Sequence, residues 1–333
     1  MRQDTTIKER NVHLVSQRIH VAEAAAFFRE HDRFLIFTHN TPDADTIGSA
    51  CALVRALRKL GKQADAFNRE GVPARLAFLQ PETVFQPELP DLEGRTPISV
   101  DVASPRMLSM PESAFTFALA IDHHEISTVP CEKLYLEESF PAAGEMVYLL
   151  LKELGVPMDT DIATALYAAI SSDSGGFRFS STRPDTMRNA AELMETGIDF
   201  AKINRLLFDT KQPAEVAIER LGYEKLELHY DGRFALVAVT QEDLSSAGAT
   251  DQDCEQLKHL PRQIAGVQVS AVIRPKGAEI KCSLRSNEEI NVAALAAEFG
   301  GGGHFHAAGF SVPGSTVDAV KQTLLEKIED KLL

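Results

Sequence analysis

The chain has no tryptophan and only four cysteines in 333 residues, Cys51, Cys131, Cys254 and Cys282, none of them in a C-x-x-C pair. Scattered thiols without framework spacing exclude a disulfide scaffold and a thiolate zinc site, and read as reduced, buried, small apolar residues. Long hydrophobic runs are missing as well. No stretch is long enough to span a bilayer, and the amino-terminal MRQDTTIKER carries mixed charge without the apolar core of a signal peptide. The cytoplasm is therefore the expected location, and a membrane is not an expected partner. Positive charge is scarce, with 34 Lys and Arg against 48 Asp and Glu and a net charge of −14. Such a surface repels long polyanions unless basic residues gather at one place, so a long duplex is not expected to be the main partner. A metal site built from carboxylates would use part of this acidity, although surface charge that maintains solubility is its commoner source.

With 44% apolar residues over this length there is material for two cores. In the first half, short β-like runs (Phe34 to Thr38, Ala64 to Phe67, Ile98 to Val100, Phe117 to Ile121) alternate with helical periodicity. One helix carries Ile47, Cys51, Val54, Leu57 and Leu60 on one face and ends at Gly61. Further helices are expected over Gly144 to Leu154, Ile162 to Ser171 and Pro184 to Thr196. Runs that are apolar without alternation are those of parallel strands covered on both faces, so an α/β domain with a mainly parallel sheet is predicted. From Ile198 to about Tyr230 the pattern is helical and charged; afterwards strands recur at Arg233 to Val239, Val267 to Ile273 and Glu279 to Arg285, with a closing helix from Ser315. The expected division is a first domain over residues 1–197, a helical linker over 198–230 and a smaller α/β domain over 231–333.

Chemistry concentrates at strand ends. FLIFTHNTPDADTIGSA places His39, Asp43 and Asp45 in one strand-to-helix loop, at the sheet edge where α/β folds bind ligands. Helix capping by Asp45 or Thr46 explains this loop equally well on its own. The other strands weigh against capping alone: Ile98 to Val100 runs into Asp101, and Phe117 to Ile121 into Asp122, His123 and His124. Converging carboxylates repel unless cations neutralise them. Asp173 in AAISSDSGGFRFSST is a fourth contributor, leaving an apolar helix just before two glycines. Asp and His without Cys favour two hard or borderline cations, Mn²⁺ first and Mg²⁺ next, with Zn²⁺ or Co²⁺ as substitutes. A cation pair that activates water and polarises a phosphoryl oxygen makes phosphate ester or anhydride hydrolysis the natural reaction. In the second half, Gly300 to Gly303 precede His304, a backbone able to approach an anion closely, while a helix C-cap followed by a plain loop is the bland alternative. Arg274 and Arg285 end strands and could clamp a phosphate. No G-x-S-x-G elbow is present for a serine hydrolase.

These residues resemble a known family. IDHH at Ile121 to His124 is the signature of the DHH phosphoesterases, and HNTPDADTIGS, VDVAS and SSDSGGFRFSST look like that family's other metal motifs in the same order. SLRS at Ser283 to Ser286 and FGGGGHFHAAG at Phe299 to Gly309 look like its companion DHHA1 domain, and the length is similar to the NrnA-like branch. The resemblance implies a phosphoric ester hydrolase with its active site in a cleft between a DHH and a DHHA1 domain, acting on short RNA (nanoRNA), dinucleotides or pAp. It implies that His39 and Asp43 hold one cation, that Asp45, His123 and Asp173 hold the other, and that Asp101 bridges them. His124 would meet the scissile phosphate and Asp122 would orient its neighbouring histidine, while Arg285, Gly302, Gly303 and His304 would bind the rest of the substrate. Ala44 stands where the family often has glycine, and Phe305 and His306 occupy variable places, so base preference is left open. Cyclic- or linear-dinucleotide phosphodiesterase, RecJ-like single-strand exonuclease and non-catalytic nucleotide-binding regulator are the alternatives. The oligomeric state is open, a homodimer included.

Overall fold

The computed structural model describes residues 16–108, 116–287 and 289–332. The MRQDTTIKER stretch lies outside the described residues. The chain divides into two compact units, one ending at Thr210 and the other beginning at Lys211.

The first unit is built on a seven-stranded sheet in which every pairing is parallel. Its strands are β1 (Gln17–Ile19), β2 (Phe34–Phe37), β3 (Ala64–Phe67), β4 (Phe85–Gln86), β5 (Thr96–Val100), β6 (Phe117–Asp122) and β7 (Cys131–Leu136), in the order β1-β7-β6-β5-β2-β3-β4. Between them run α1 (Val21–Glu30) and α2 (Ala44–Lys59), and after them α3 (Ala143–Glu153), α4 (Thr160–Asp173), α5 (Pro184–Glu195) and α6 (Phe200–Asn204). The unbroken apolar run FLIF is fully buried because both faces of β2 are covered. Phe34 and Ile36 join Ile98, Val100, Leu119 and Ile121 beneath the helices. Leu35 and Phe37 meet Phe67, Phe117 and Val102 on the opposite side.

Chain direction across this sheet determines where a ligand can sit. From β2 the chain proceeds to β3 and β4 on one side, then returns to β5 on the other. The carboxyl ends of β2 and β5 therefore flank the point at which strand order reverses, the usual ligand crevice of an open α/β sheet.

The second unit has a six-stranded mixed sheet, ordered β12-β13-β11-β10-β9-β8. In chain order its elements are α7 (Pro213–Glu224), β8 (Leu226–His229), β9 (Phe234–Ala238), α8 (Gln241–Ala247), β10 (Val269–Lys276), β11 (Glu279–Ser286), α9 (Val292–Ala297), β12 (Gly302–His304), β13 (Ala307–Pro313) and α10 (Val317–Leu332). Alternation along β11 sends Ile280, Cys282, Leu284 and Ser286 inward and leaves Lys281, Ser283 and Arg285 on the other face.

Several expectations change. Leu226–His229, read as helical, is an edge strand antiparallel to β9, and the polar, short β1 and the mixed-pattern β7 carry no clear strand signal. The glycine run is not a plain loop, because Gly302–His304 pairs antiparallel with β13. All four cysteines are buried and unbonded to one another. No helix among the described residues is long and apolar enough to cross a membrane.

Helices α2 and α4 approach each other closely in the first unit. A Cβ on Gly48 would lie 2.4 Å from the Ala165 carbonyl oxygen. Helix propensity alone makes Gly48→Ala stabilising by about 1 kcal/mol. The backbone clash reverses that sign, and a net loss of about 1–3 kcal/mol is expected from the urea midpoint; a raised midpoint would show that the helices can part at no cost.

Candidate metal centre

The site is assembled from four chain segments at the carboxyl edge of the parallel sheet. His39 follows β2, and Asp43 is the N-cap of α2, its Oδ1 accepting the Asp45 and Thr46 amides at 3.0 and 3.1 Å. Capping thus falls to Asp43 rather than to Asp45 or Thr46. Asp45, fully buried on the first turn of α2, faces the start of α3. There Ala143 N–H donates to its Oδ2 and Gly144 N–H to its Oδ1, each at 2.8 Å, and the Ser49 hydroxyl donates at 3.1 Å. A carboxylate against a helix N-terminus is favoured by the helix dipole. Gly144 has to be glycine because a Cβ there would lie 2.5 Å from the Ala169 methyl and 3.2 Å from Asp45 Oδ1.

Asp101 leaves β5 with φ +60, a left-handed conformation that aspartate tolerates better than most residues, and its amide donates to the Ile121 carbonyl at 2.9 Å. Asp122 ends β6 with no exposed surface. Its Oδ1 accepts the His123 amide at 2.9 Å and lies 2.7 Å from His124 Nδ1, while Oδ2 has no hydrogen-bond partner. His123 Nδ1 lies 3.1 Å from the Phe140 carbonyl. A carbonyl only accepts, so Nδ1 carries the proton and Nε2 is left as a lone-pair donor to the site. His39 is arranged differently, with the Thr41 amide donating to its Nδ1 at 3.3 Å. Asp173 is the last residue of α4, which the α2–α4 contact brings back over the start of α2.

The resulting distances are short but are not those of hydrogen bonds. His39 Nε2 lies 3.3 Å from Asp101 Oδ2 and 3.7 Å from Asp43 Oδ1. His123 Nε2 lies 3.5 Å from Asp101 Oδ1, 3.6 Å from Asp173 Oδ2 and 3.7 Å from Asp45 Oδ2. Charge-assisted N–H···O bonds close to about 2.7–2.9 Å. Ligand atoms around one cation at about 2.0–2.2 Å stand roughly 3–3.5 Å from one another. The donor set therefore fits divalent cations, with His39, Asp43 and Asp101 able to hold one, and Asp45, His123 and Asp173 another.

Electrostatics point the same way. Burial, with Asp101 and Asp43 nearby, pushes the Asp45 carboxyl up to about 7. Burial and the charges of Asp45 and Asp43 raise Asp173 well above the ordinary carboxyl range. Burial opposes ionisation of Asp101 too, but the His123 and His39 rings outweigh it and hold it far below. Burial likewise disfavours a charged His39 or His123; the facing carboxylates prevail and raise both well above 6.5. His124 is also raised, Asp122 overcoming the effect of burial. Carboxyls driven towards neutrality by their own neighbours are groups that a bound cation would relieve.

In the second unit Arg274 is buried, with Nη1 on the Asp251 carbonyl at 2.6 Å and Nη2 on Glu255, so it is not free to clamp a phosphate. Arg285 is half-buried, bonded through Nη1 to the Leu284 carbonyl at 2.8 Å. Burial and the nearby Arg262 charge lower its pKa. A Cβ on Gly301 would lie 2.3 Å from the Gly309 oxygen and one on Gly303 2.5 Å from the Ala307 oxygen, whereas Gly302 faces open space. Close backbone pairing in the β12–β13 hairpin thus accounts for two of the glycines. The His304 side chain lies outside the described residues. Sequence reasoning missed the Phe140 carbonyl and the α3 amides, which as backbone groups leave no side-chain signal.

Residues 33–170 match the DHH family, N-terminal domain, and residues 232–332 match the DHHA1 domain. The bifunctional oligoribonuclease and PAP phosphatase NrnA of Thermus thermophilus is 32% identical over 300 residues, spanning 89% of each chain. Among solved structures, an exopolyphosphatase-related protein from Bacteroides fragilis superposes with a TM-score of 0.83 at 24% identity, over 94% of this chain and 97% of that one. RecJ from Thermus thermophilus in complex with Mn²⁺ superposes at 0.54 with 17% identity, over 94% of this chain and 54% of that one.

The shifts define a pH signature for the metal-free protein. His39, His123 and His124 are raised, so their stabilisation is complete below about pH 6.5 and is lost as pH rises beyond it. Asp45 and Asp173, also raised, act in the same sense, complete below about pH 3.9 and, for Asp45, lost on rising through about 7. Asp43 and Asp101, lowered, lose their contribution only as pH falls below about 4. In EDTA, stability should fall between roughly pH 5 and 8 by up to about 1.4 kcal/mol per pH unit for each excess proton in the folded state, and saturating Mn²⁺ should remove the decline. Urea midpoints in EDTA that stay flat or rise over this range would contradict the assignment.

Proposed function

The chain belongs to the DHH family and is a phosphoric ester hydrolase, and from that premise we propose that it hydrolyses short oligoribonucleotides, dinucleotides or pAp using two divalent cations, Mn²⁺ first among them. One observation carries this reading: the two oxygens of Asp101 face different rings, Oδ2 towards His39 and Oδ1 towards His123, as a carboxylate shared between two cations requires. His39 and Asp43 hold one cation, and Asp45, His123 and Asp173 the other. The identity of the ion draws support from the Mn²⁺ in the similar RecJ structure, and the substrate class from the name of the Thermus relative. Cations bound here supply Lewis acidity, lowering the pKa of a water and drawing charge from phosphoryl oxygens.

The chain's own residues supply the remaining functions. His124 is held through Nδ1 by the Asp122 carboxylate, which favours the charged form of the ring, and this orients it to meet the scissile phosphate. Asp122 is a positioning residue for this ring. The second unit contributes Arg285 and the Gly302–His304 strand, where Gly302 leaves room for an anion to approach the backbone. Arg285 is suited to hold a phosphate or base of the substrate.

Asp101→Ala should lose Mn²⁺ and all measurable hydrolysis. His124→Ala should keep both cations while kcat falls by about 10²–10³-fold, as removal of one transition-state donor typically costs. Elemental analysis beside steady-state kinetics checks both, and loss of one equivalent of Mn²⁺ from His124→Ala would mean that His123 and His124 have exchanged roles.

Substrate length provides a second test, with pAp, cyclic and linear dinucleotides, a pentanucleotide and a long RNA as the panel. Efficiency per end should fall with length, because added nucleotides extend along an acidic surface and gain no contact. Arg285→Ala should cost the short substrates about 1.5–3 kcal/mol, roughly ten- to hundred-fold in kcat/KM. Efficiency that rises with length, together with an indifferent Arg285→Ala variant, would favour a RecJ-like exonuclease instead.

A further inference from the structure

Two of the side chains assigned to one cation, Asp45 and His123, are held by backbone groups of the short segment from Phe140 to Gly144. The Phe140 carbonyl accepts from His123 Nδ1 at 3.1 Å, and the Ala143 and Gly144 amides clamp Asp45 at 2.8 Å each. Displacement of this segment would displace both ligands together. Pro141 follows Phe140 and restricts its backbone, so the direction of the carbonyl is tied to where the Phe140 ring lies.

One residue grips this segment at its start and just past its end. The Arg183 guanidinium carbon lies 3.8 Å from the centroid of the Phe140 ring. Its Nη2 donates to Glu145 Oε1 at 2.9 Å, on the first turn of α3. Glu145 is fully buried and also accepts from Thr186 Oγ1 at 2.7 Å and Asn189 Nδ2 at 2.8 Å, which fixes it from α5. Arg183 Nε has no hydrogen-bond partner. The guanidinium is thus located by the carboxylate at its edge and the ring against its face.

We propose that Arg183 is a positioning residue for the cation site of Asp45, His123 and Asp173, holding the Phe140–Gly144 segment so that its carbonyl and amides aim two ligands at one point. This rests on the two-cation reading above. A purely structural tie between α5 and α3 would need only the bonds to Glu145, which Thr186 and Asn189 also make. Of these three side chains, Arg183 is the one stacked on Phe140. A flat guanidinium is suited to lie on a ring while ion-paired at its edge, as an ammonium is not.

The test is Mn²⁺ titration of the full-length protein by calorimetry, with steady-state kinetics and thermal melts in parallel. Wild type should bind two equivalents. Arg183→Ala should weaken one of the two sites by about ten- to hundred-fold, the usual effect of losing an outer-shell partner, with KM for substrate unchanged and kcat restored at saturating Mn²⁺. Phe140→Leu, which keeps the Glu145–Arg183 pair and removes the ring, should weaken the same site, and Arg183→Lys should do so by less. Asn189→Ala takes a hydrogen bond from the same carboxylate without touching Phe140; it should lower Tm and leave both affinities alone. Wild-type affinity at both sites in Arg183→Ala and Phe140→Leu would overturn the proposal, as would equal weakening by Asn189→Ala. If Arg183→Ala does not fold, Phe140→Leu decides. A wild type that binds no Mn²⁺ overturns the two-cation reading and this inference together, whereas two equivalents with insensitive variants overturn this inference alone.

Discussion

Like charges packed a few ångströms apart repel strongly where water is scarce, and the first unit holds the buried Asp45 and Asp101 and the half-buried Asp43 and Asp173 together, beside the buried Asp122, in spite of that repulsion. Each is restrained by a different part of the fold. Asp43 caps α2, Asp45 sits on the amides of α3, Asp101 is carried on a left-handed turn after β5, Asp122 is locked to the histidines beyond β6, and Asp173 arrives at the end of α4. None can withdraw without undoing a helix end or a strand end. The repulsion is therefore retained as a standing field at the strand-order reversal, one that bound divalent charge would balance.

That constraint reaches into packing that otherwise looks unrelated to chemistry. Asp45 and Asp173 meet only if α2 and α4 approach closely, which Gly48 permits, and only if α3 can start beside Asp45, which Gly144 permits. Small residues on these helices thus serve electrostatics as much as volume. The buried Glu145 belongs to the same pattern: its carboxylate is paired with Arg183 and hydrogen-bonded by Thr186 and Asn189, so it adds rigidity rather than uncompensated charge.

The parallel core was legible because strands covered on both faces read as unbroken apolar runs, as FLIF and the run ending at Ile121 do. β1, β7 and β8 were not, being short or mixed in polarity, and their pairing is settled by neighbours distant in sequence. The ligand-type residues were legible because acids and histidines recur at successive strand ends. Whether a given acid caps or ligates was not, and the geometry explains why the question had no single answer: Asp43 Oδ1 accepts two amides and still faces His39. The groups that aim the site, a carbonyl at Phe140 and amides at Ala143 and Gly144, have no residue type at all and emerge only in three dimensions. Arg274 shows the converse, an arginine that sequence placed at a strand end and offered to a phosphate, but which lies within β10 with Asp251 and Glu255 as its partners.

The gaps between ring nitrogens and carboxylate oxygens follow from the same anchoring. Left to themselves, an imidazolium and a carboxylate close to about 2.8 Å, and here the pairs between the two imidazoles and their facing acids stand at 3.3 to 3.7 Å. The reason lies behind the site rather than in it. Asp45 is drawn back by two amides, His123 by the Phe140 carbonyl and Asp43 by its cap, so each donor is held at its rear and cannot collapse on its partner. Space kept open between opposite charges by bonds outside that space is preorganisation: the reorganisation needed to admit a cation has already been met in folding, and the spacing left over is that of ligands around an ion.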